Sequence, residues 1–335
     1  MSLQIRSGTS ADLEIEVVYP LLAQRDPHAI EAAYLANGLD ISPIAGSEVA
    51  KSVHRSDGSS LIISRDGEPV GGLSIVPDEI LSDHFGIRCA ALSWYCADTS
   101  DRARVVDVLV SEAMAQLKAR SFQHASIRVA VDDFDAMSAF HADGFYIADT
   151  MITYLVKTVS EDRELIYEDQ FGDLRLYALF GDDLQALEPS VSELFSSLIS
   201  QHYGLSRFHA DPHFDNALAG AWYGEWCRRA FAGEWADGAI LARYEGDPMG
   251  FICWKRDDAK SKLLGCEFFG SGLGASGGHS AYSVMLGAAV ETSFFRWAVF
   301  DLHIANSPVV RAVGRHPQSR HLRVSHTFHL WLGDQ

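Results

Sequence analysis

The stretch LIISRDGEPVGGLSI (residues 61–75) decides the fold, because it returns later in the chain as ILARYEGDPMGFICW (residues 240–254). Each stretch has two β-rich runs joined by the turn pattern Gly-acid-Pro-x-Gly, and this turn chemistry is typical of a β-hairpin. Two hairpins with the same turn pattern predict that the chain contains one structural unit twice.

The segments around the two hairpins follow the same order in both halves of the chain. Before each hairpin, a short strand leads through a polar cap into a helix. After it come a strand, a long helix, a strand, a short helix and a closing strand: residues 89–95, 102–120, 125–131, 134–143 and 150–155, then 263–269, 281–297, 299–304, 308–314 and 327–332. We therefore predict two α/β units, residues 1–158 and 173–335, with the acidic segment 159–172 as their linker.

The composition excludes several classes of partner. The formal net charge of -18 repels both a nucleic-acid backbone and an anionic membrane, so neither is an expected partner. The five cysteines are odd in number and scattered through apolar runs, which predicts free buried thiols in a reducing compartment. The sequence shows no secretory leader and no apolar run of about 18 residues. We therefore expect a cytoplasmic protein.

A glycine-rich segment in the second half, residues 272–291, leads from small residues directly into an apolar run with helical spacing. A loop with almost no side chains brings several backbone N–H groups close to one anion, and the following helix adds the positive end of its dipole. The segment therefore predicts a phosphate-binding cradle. The alternative is a surface loop that precedes a buried helix and binds nothing.

The order of these elements resembles the GNAT superfamily of acyl-CoA N-acyltransferases, present twice. The resemblance implies an α/β fold in which each unit is a mixed, centrally splayed sheet with flanking helices. It also implies that the co-substrate is acetyl-CoA, that no metal takes part, and that the acceptor is a small-molecule amine. Formation of a homodimer is left open.

A narrower resemblance covers residues 125–332, which are similar to the bacterial TDP-fucosamine acetyltransferase family. It is carried by Gly204-Leu205-Ser206-Arg207-Phe208, by Trp222-Tyr223-Gly224-Glu225-Trp226, by Asn306, and by the ending Thr327-Phe328-His329-Leu330-Trp331. In the first unit, Asp143-Gly144-Phe145 followed by Asp149-Thr150 matches the end of that family's shorter first unit. This resemblance implies that the acceptor includes the amino group of a nucleotide-linked sugar.

The superfamily's pyrophosphate loop has the form Gln/Arg-x-x-Gly-x-Gly/Ala at the start of the long helix. The second unit departs from it, because Ser280-Ala281-Tyr282 fills the expected register just after Gly277 and Gly278. The first unit departs further, since carboxylates in residues 98–104 flank the corresponding position, and we expect that unit not to bind coenzyme A. The candidate cofactor-binding residues are Phe269, Gly270, Gly277, Gly278, His279, Ser280, Ala281 and Asn306.

The resemblance also implies a tyrosine acid, which in the superfamily lies seven residues after the Asn that opens the short helix. Counting from Asn306 gives Val313, and the first unit has Phe140 at its position. Neither side chain donates a proton. Water, Tyr282 or His316 remains as a substitute, and a thiolate also leaves without an acid.

The candidate bases are side chains that the second unit directs toward the acceptor. They are Glu267 on the third strand, His303 on the strand before Asn306, and His279 in the glycine-rich loop. Each has a structural alternative: a solvent-facing strand residue, a hydrogen-bonded core histidine, and a loop residue without a catalytic role. The candidate catalytic residues are Glu267, His303 and Tyr282, and Asn306 has helix capping as its alternative role.

The segment that varies among GNAT folds to fit different acceptors contains Arg207, His209 and Tyr223, which are the candidate substrate-binding residues. The alternative is a structural helix with an exposed rim, since the nearby aromatic residues recur at the spacing of a helix core. The histidines near the C-terminus have no spacing typical of a metal site. The functions left open are an acetyltransferase, transfer of another acyl group, and an inactive tandem GNAT protein that binds acyl-CoA or serves as a structural partner.

Overall fold

The computed structural model describes residues 3–9, 15–37, 58–157, 168–171, 174–185, 187, 189–258, 263–266, 285 and 297–333. The chain divides into two compact units. The first consists of Met1–Thr150 with Arg323–Gln335, and the second is Met151–Leu322.

The first unit is built on a sheet of mixed direction. Its strand order is β1-β2-β3-β4-β5-β13, and every described pairing is antiparallel except that of β4 with β5. The strands are β1 (Leu3–Thr9), β2 (Ser59–Arg65), β3 (Glu68–Pro77), β4 (Cys89–Cys96), β5 (His124–Ala130) and β13 (Ser319–Trp331).

The helices described in the first unit are α1 (Ile15–Arg25), α2 (Ile30–Ala36), α3 (Glu79–Phe85), α4 (Arg102–Ala119) and α5 (Phe134–Ala142). The long helix α4 confirms the prediction for residues 102–120. It buries an apolar stripe with helical spacing: Val105, Val106, Leu109, Val110, Ala113 and Leu117. Gly71 of β3 allows this stripe to approach the sheet, because a Cβ there would lie 2.8 Å from Cγ1 of Val105.

The second unit has the strand order β6-β12-β11-β10-β9-β8-β7. The strands are β6 (Tyr146–Lys157), β12 (Trp297–His303), β11 (Leu263–Cys266), β10 (Asp247–Asp258), β9 (Gly238–Tyr244), β8 (Leu174–Phe180) and β7 (Glu168–Phe171). Here too one described pairing is parallel, that of β11 with β12. The mixed sheets with flanking helices confirm the predicted fold class.

The helices described in the second unit are α6 (Asp182–Gln185), α7 (Pro189–His202), α8 (Arg207–Ala210), α9 (Asn216–Phe231) and α10 (Ser307–Gly314). Helices α7 and α9 cross with almost no side chain between them. A Cβ on Gly220 of α9 would lie 2.3 Å from the carbonyl oxygen of Ser200 in α7, and one on Gly224 would lie 2.9 Å from that of Ser196. This close crossing determines where the end of α7 lies.

Both predicted hairpins are present, and they are alike in detail. The turn residues Asp66 and Gly67 have φ of 51° and 86°, and Glu245 and Gly246 have φ of 51° and 94°. These left-handed values are typical of a two-residue type I′ turn. In each hairpin, the turn therefore overlaps the predicted Gly-acid-Pro-x-Gly pattern only at its first glycine.

The proline of each hairpin lies in the returning strand beside a bulge. Pro69 faces Ser64, and the register then shifts so that Gly71 faces Ile63. In the second hairpin Pro248 faces Arg243, and the register shifts in the same way before Gly250. A proline without an N–H is tolerated at such an interruption of the ladder. The shared bulge supports the repeat more strongly than the sequence pattern alone.

The closing strands do not follow the predicted division at residues 158 and 173. In the first unit, the strand beside β5 is β13, from the end of the chain, in a register that pairs Phe328 with Ile127. In the second unit, the strand beside β12 is β6, in a register that pairs Leu155 with Val299. The closing strand of each sequence repeat thus completes the sheet of the other repeat. In addition, part of the predicted linker forms β7, which pairs with β8.

The parallel pair of the first unit runs together over only part of its length. Pairing of β4 with β5 ends at Leu92 and Ile127, although both strands continue, to Cys96 and Ala130. This is the central splay that the resemblance implied. In the second unit, all the described residues of β11 pair with β12. Among the described residues, no helix combines the length and apolar character needed to cross a membrane.

Candidate functional site

Part of the predicted site lies outside the described residues. The residues that fall there are Glu267, Phe269, Gly270, Gly277, Gly278, His279, Ser280, Ala281 and Tyr282. The described candidates are His303, Asn306, Arg207, His209 and Tyr223, all within the second unit. Arg207, His209 and Tyr223 among them are the residues predicted to bind the substrate.

Three of the described candidates meet around one ring, that of Tyr203. The ring follows α7, and its centroid lies 4.7 Å from Tyr223 of α9, 6.3 Å from His209 of α8 and 6.3 Å from His303 at the end of β12. The two rings of His209 and Tyr223 stack at 6.1 Å with an interplanar angle of 23°. We call these four residues the ring cluster.

His209 is hydrogen-bonded to the N-cap residue of its own helix. Ser206 is the N-cap of α8, and its hydroxyl oxygen accepts the backbone N–H of His209 at 3.4 Å and lies 2.7 Å from the imidazole Nδ1. Burial and, after it, the nearby His303 lower the pKa of His209 below its usual value. The imidazole is therefore neutral at pH 7.

Tyr223 is a buried member of the ring cluster, with 8% of its surface exposed. Farther along α9, Trp226 and Phe231 are also buried, which confirms that most of this aromatic series is core. Within that series, Tyr223 also packs against the rings of Tyr203 and His209.

The remaining two described candidates, Arg207 and Asn306, are not members of the ring cluster. The guanidinium of Arg207 lies over the ring of Phe208, 4.7 Å from its centroid. Asn306 occupies the N-cap position of α10, but its side chain makes no capping hydrogen bond to the described residues. Its backbone carbonyl accepts the N–H of Val310 instead, at 3.0 Å. Asn306 therefore occupies the predicted cap position without a capping hydrogen bond from its side chain.

An open cavity of about 350 Å³ adjoins the ring cluster. Its lining residues are Ser200, Gln201, His202, Tyr203, Gly204, His209 and Asn216. A volume of roughly 300–1,000 Å³ is typical of a small-molecule site. The lining offers hydroxyl, amide and imidazole groups, which are hydrogen-bonding groups for a polar ligand.

Sequence reasoning missed Tyr203 and Ser206 as site residues. Ser206 had a signal, since Ser before a short polar and aromatic run is a common N-cap. Tyr203 had none of its own, because a tyrosine after a helix is read equally well as a surface residue. Its central position depends on the crossing of α7 with α9.

The two positions expected to carry the tyrosine acid are in the core. Val313 of α10 and Phe140 of α5 both have 0% of their surface exposed. Each packs in the apolar core of its own unit. These side chains therefore serve packing.

In the first unit, a buried ion network occupies the start of the long helix. Arg102, in the first turn of α4, donates two hydrogen bonds to Asp133 at 2.6 and 2.7 Å, and Asp26 lies 3.6 Å away. Burial disfavours the guanidinium charge, but the hydrogen bonds and charge of Asp133 outweigh it and raise the pKa of Arg102. For the carboxyl group of Asp26, burial raises the pKa. With two carboxylates buried here, this end of α4 does not fit a pyrophosphate.

Two further contacts close the same region of the first unit. Arg65 pairs with Asp101, the N-cap residue of α4. Trp94 of β4 donates its indole N–H to the backbone carbonyl of Arg128 on β5, at 3.3 Å, where the two strands have parted. The strand opening that would receive an extended ligand is thus bridged by a side chain. These contacts support the expectation that the first unit binds no coenzyme A.

No family model and no curated protein matches the sequence. Solved structures do match. A GCN5-related N-acetyltransferase from Sphaerobacter thermophilus is similar with a TM-score of 0.56 and 11% identity, over 98% of this chain and 95% of that one. A tandem GNAT protein from the clavulanic acid biosynthesis pathway is similar with a TM-score of 0.54 and 11% identity, over all of both chains (100% each). The narrower resemblance to TDP-fucosamine acetyltransferases stays a prediction. The chain has the fold of the GCN5-related N-acetyltransferases, in tandem form.

Proposed function

We propose that this protein is an acetyl-CoA-dependent N-acetyltransferase whose second unit transfers an acetyl group to a small-molecule amine. The observation that carries the proposal is that Tyr203 and His209 line an open cavity and that the ring of His303, at the end of β12, lies 6.3 Å from the ring of Tyr203.

The proposed reaction requires few catalytic side chains. Acetyl-CoA supplies an activated thioester, so the protein must position the amine and remove its proton. The ring cluster presents two imidazoles for that purpose and a polar cavity for the rest of the acceptor. The cofactor side is proposed to lie at Gly277 to Ala281, with Phe269, Gly270 and Asn306 beside it.

We include nucleotide-linked aminosugars among the acceptors, with Arg207 as the residue proposed to pair with their phosphate groups. The reaction is proposed to take place in the cytoplasm, which is supported by free thiols at Cys89, Cys96, Cys227 and Cys253. The net charge of -18 opposes an anionic acceptor at long range, so the pairing must be local.

The test is amine-dependent release of the coenzyme A thiol. Acetyl-CoA is incubated with free aminosugars, nucleotide-linked aminosugars and alkylamines in separate reactions, and the acetylated product is identified by mass spectrometry. Thiol release that requires an amine and the folded protein is expected. Thiol at the background rate with every acceptor class would contradict the proposal.

A second function, an inactive acyl-CoA-binding protein, is favoured by one observation. Val313 and Phe140, where the superfamily's acid is expected, are both buried apolar side chains. Thiol release separates the two functions, because calorimetry shows acetyl-CoA binding for both and an inactive binder releases no thiol when amines are added.

A further inference from the structure

We infer that His209 is the catalytic residue that takes the proton from the acceptor ammonium, with Ser206 as its positioning residue. This inference rests on the proposed function and assigns the base within that site. Sequence reasoning placed His209 only among residues that hold the acceptor.

Ser206 hydrogen-bonds one of the two imidazole nitrogens of His209, Nδ1. The serine oxygen lies 2.7 Å from Nδ1 and also accepts the His209 backbone N–H at 3.4 Å. A hydroxyl oxygen has two acceptor sites, so it accepts both N–H groups when Nδ1 carries the imidazole proton. In that tautomer Nε2 has a free lone pair. We assign this tautomer, since a base needs that lone pair.

The rings around His209 hold it in place and keep it neutral. Tyr223 stacks on the imidazole at 6.1 Å, and the edge of Tyr203 approaches it at 6.3 Å. Because His209 also lines the open cavity, the base is accessible to a ligand from that side. A neutral imidazole at pH 7 is ready to accept a proton.

The charged and titratable groups near His209 come from several elements. His202, the last residue of α7, lines the same cavity. His303 approaches from β12, and its interaction with His209 is repulsive when both are protonated. On α8 itself, the guanidinium of Arg207 lies over Phe208 at 4.7 Å. Asp211, which follows α8, has its carboxylate 3.0 Å from His213. The described group that lowers the proton affinity of His209 by its charge is therefore His303.

The proton balance of the step is as follows. The acceptor ammonium gives one proton to Nε2 of His209 and becomes a neutral amine. Its lone pair forms the C–N bond to the thioester carbonyl carbon while the C–S bond breaks, and the departing sulfur takes the second proton from nitrogen. His209 then releases the first proton to water in the open cavity. The net products are the amide, the free thiol and one proton.

The test compares pH profiles of kcat/KM for the wild type, His209→Gln, His303→Gln, Ser206→Ala and Ser206→Thr. The matched control is His213→Gln, an imidazole on the same segment whose partner is Asp211. We expect His209→Gln to lower kcat about 100-fold and to remove the acidic limb of the profile. His303→Gln should move that limb to higher pH. Ser206→Ala should lower kcat, Ser206→Thr should restore it, and the control should match the wild type.

A second readout needs no turnover. Histidine side chains labelled with ¹³C are titrated by NMR, and the His209 resonance is assigned by its loss in His209→Gln. We expect His209 to titrate below the ordinary histidine range and His303→Gln to raise its midpoint. A midpoint that His303→Gln leaves unchanged would overturn the pairing of the two imidazoles.

The outcomes separate this inference from the proposed function. An active wild type, with His209→Gln folded and equal to it in kcat and in its acidic limb, would overturn the assignment of His209 and leave the proposed function standing. A wild type that is inactive with every acceptor class would overturn both. Folding of each variant is checked by its melting temperature and its circular dichroism.

Discussion

Arg102 and His209 show how single residues distinguish the two units of one repeated fold. In the first unit, Arg102 is buried beside Asp133 and Asp26, so its charge pairs with buried carboxylates. In the second unit, His209 lines an open cavity. The sequence pointed to both differences, through the carboxylates of residues 98–104 and through the variable acceptor segment.

Arg102→Met tests the ion network of the first unit. Removing the guanidinium leaves two buried carboxylates without their cation, which typically costs about 3–5 kcal/mol of stability. We expect urea unfolding to show a loss in that range. Arg104→Met, an exposed position on the same helix, is the control and should change stability by less than about 0.5 kcal/mol. A small effect of Arg102→Met would show that the network is dispensable.

Tyr203 tests whether the ring cluster forms the acceptor site. Its hydroxyl donates to the carbonyl oxygen of Leu205 at 3.2 Å, so the ring rather than the hydroxyl faces the other members of the cluster. We expect Tyr203→Ala to raise KM for the amine at least 10-fold, equivalent to about 1.4 kcal/mol, with KM for acetyl-CoA changed much less. Tyr203→Phe keeps the ring and should stay within 3-fold of the wild type, by an order-of-magnitude estimate. Equal effects of both substitutions would contradict a role for the ring.

At the scale of elements, the hairpins and the helices of the first unit followed from local pattern. The turn at Asp66 and Gly67 and the buried stripe of α4 depend on residues that are neighbours in sequence, so the sequence reveals them. The ring cluster depends on four separate elements, and only its individual members could be named. Its centre, Tyr203, was missed because its surroundings come from α8, α9 and β12.

Gly220→Ala tests the crossing of α7 and α9 that places Tyr203. The added methyl group would lie 2.3 Å from the carbonyl oxygen of Ser200, so one helix must shift. Overpacking of this kind costs about 1–3 kcal/mol, and we expect a matching loss in urea unfolding together with a higher KM for the amine. Gly204→Ala is the stability control, because nothing lies within 4 Å of a Cβ there. Unchanged stability of Gly220→Ala would show that the crossing adapts at no cost.

At the scale of the whole molecule, the exchange of closing strands joins the two repeats. Segments 150–155 and 327–332 carry the same strand pattern, and pattern alone does not say which sheet each strand completes. The structure gives β13 to the first unit and β6 to the second. A C-terminal segment therefore contributes to the core of the N-terminal unit, as shown by Phe328 in that core.

Phe328→Ala and Leu302→Ala test the exchange as a matched pair. Phe328 packs in the core of the first unit and Leu302 in that of the second. Each truncation should cost about 2–5 kcal/mol. By hydrogen exchange we expect Phe328→Ala to expose α4 and β4, and Leu302→Ala to expose β10 and β12. Faster exchange confined to β9 and β10 in Phe328→Ala would contradict the strand assignment.

Calorimetric titration with acetyl-CoA tests the central claim, that one unit of the two, the second, holds the co-substrate. The account predicts one molecule bound per chain, binding that Gly278→Asp abolishes by placing a carboxylate in the proposed phosphate cradle, and unchanged binding in Arg102→Met at a temperature where that variant is folded. Two molecules per chain, no binding at all, or full affinity in folded Gly278→Asp would contradict it.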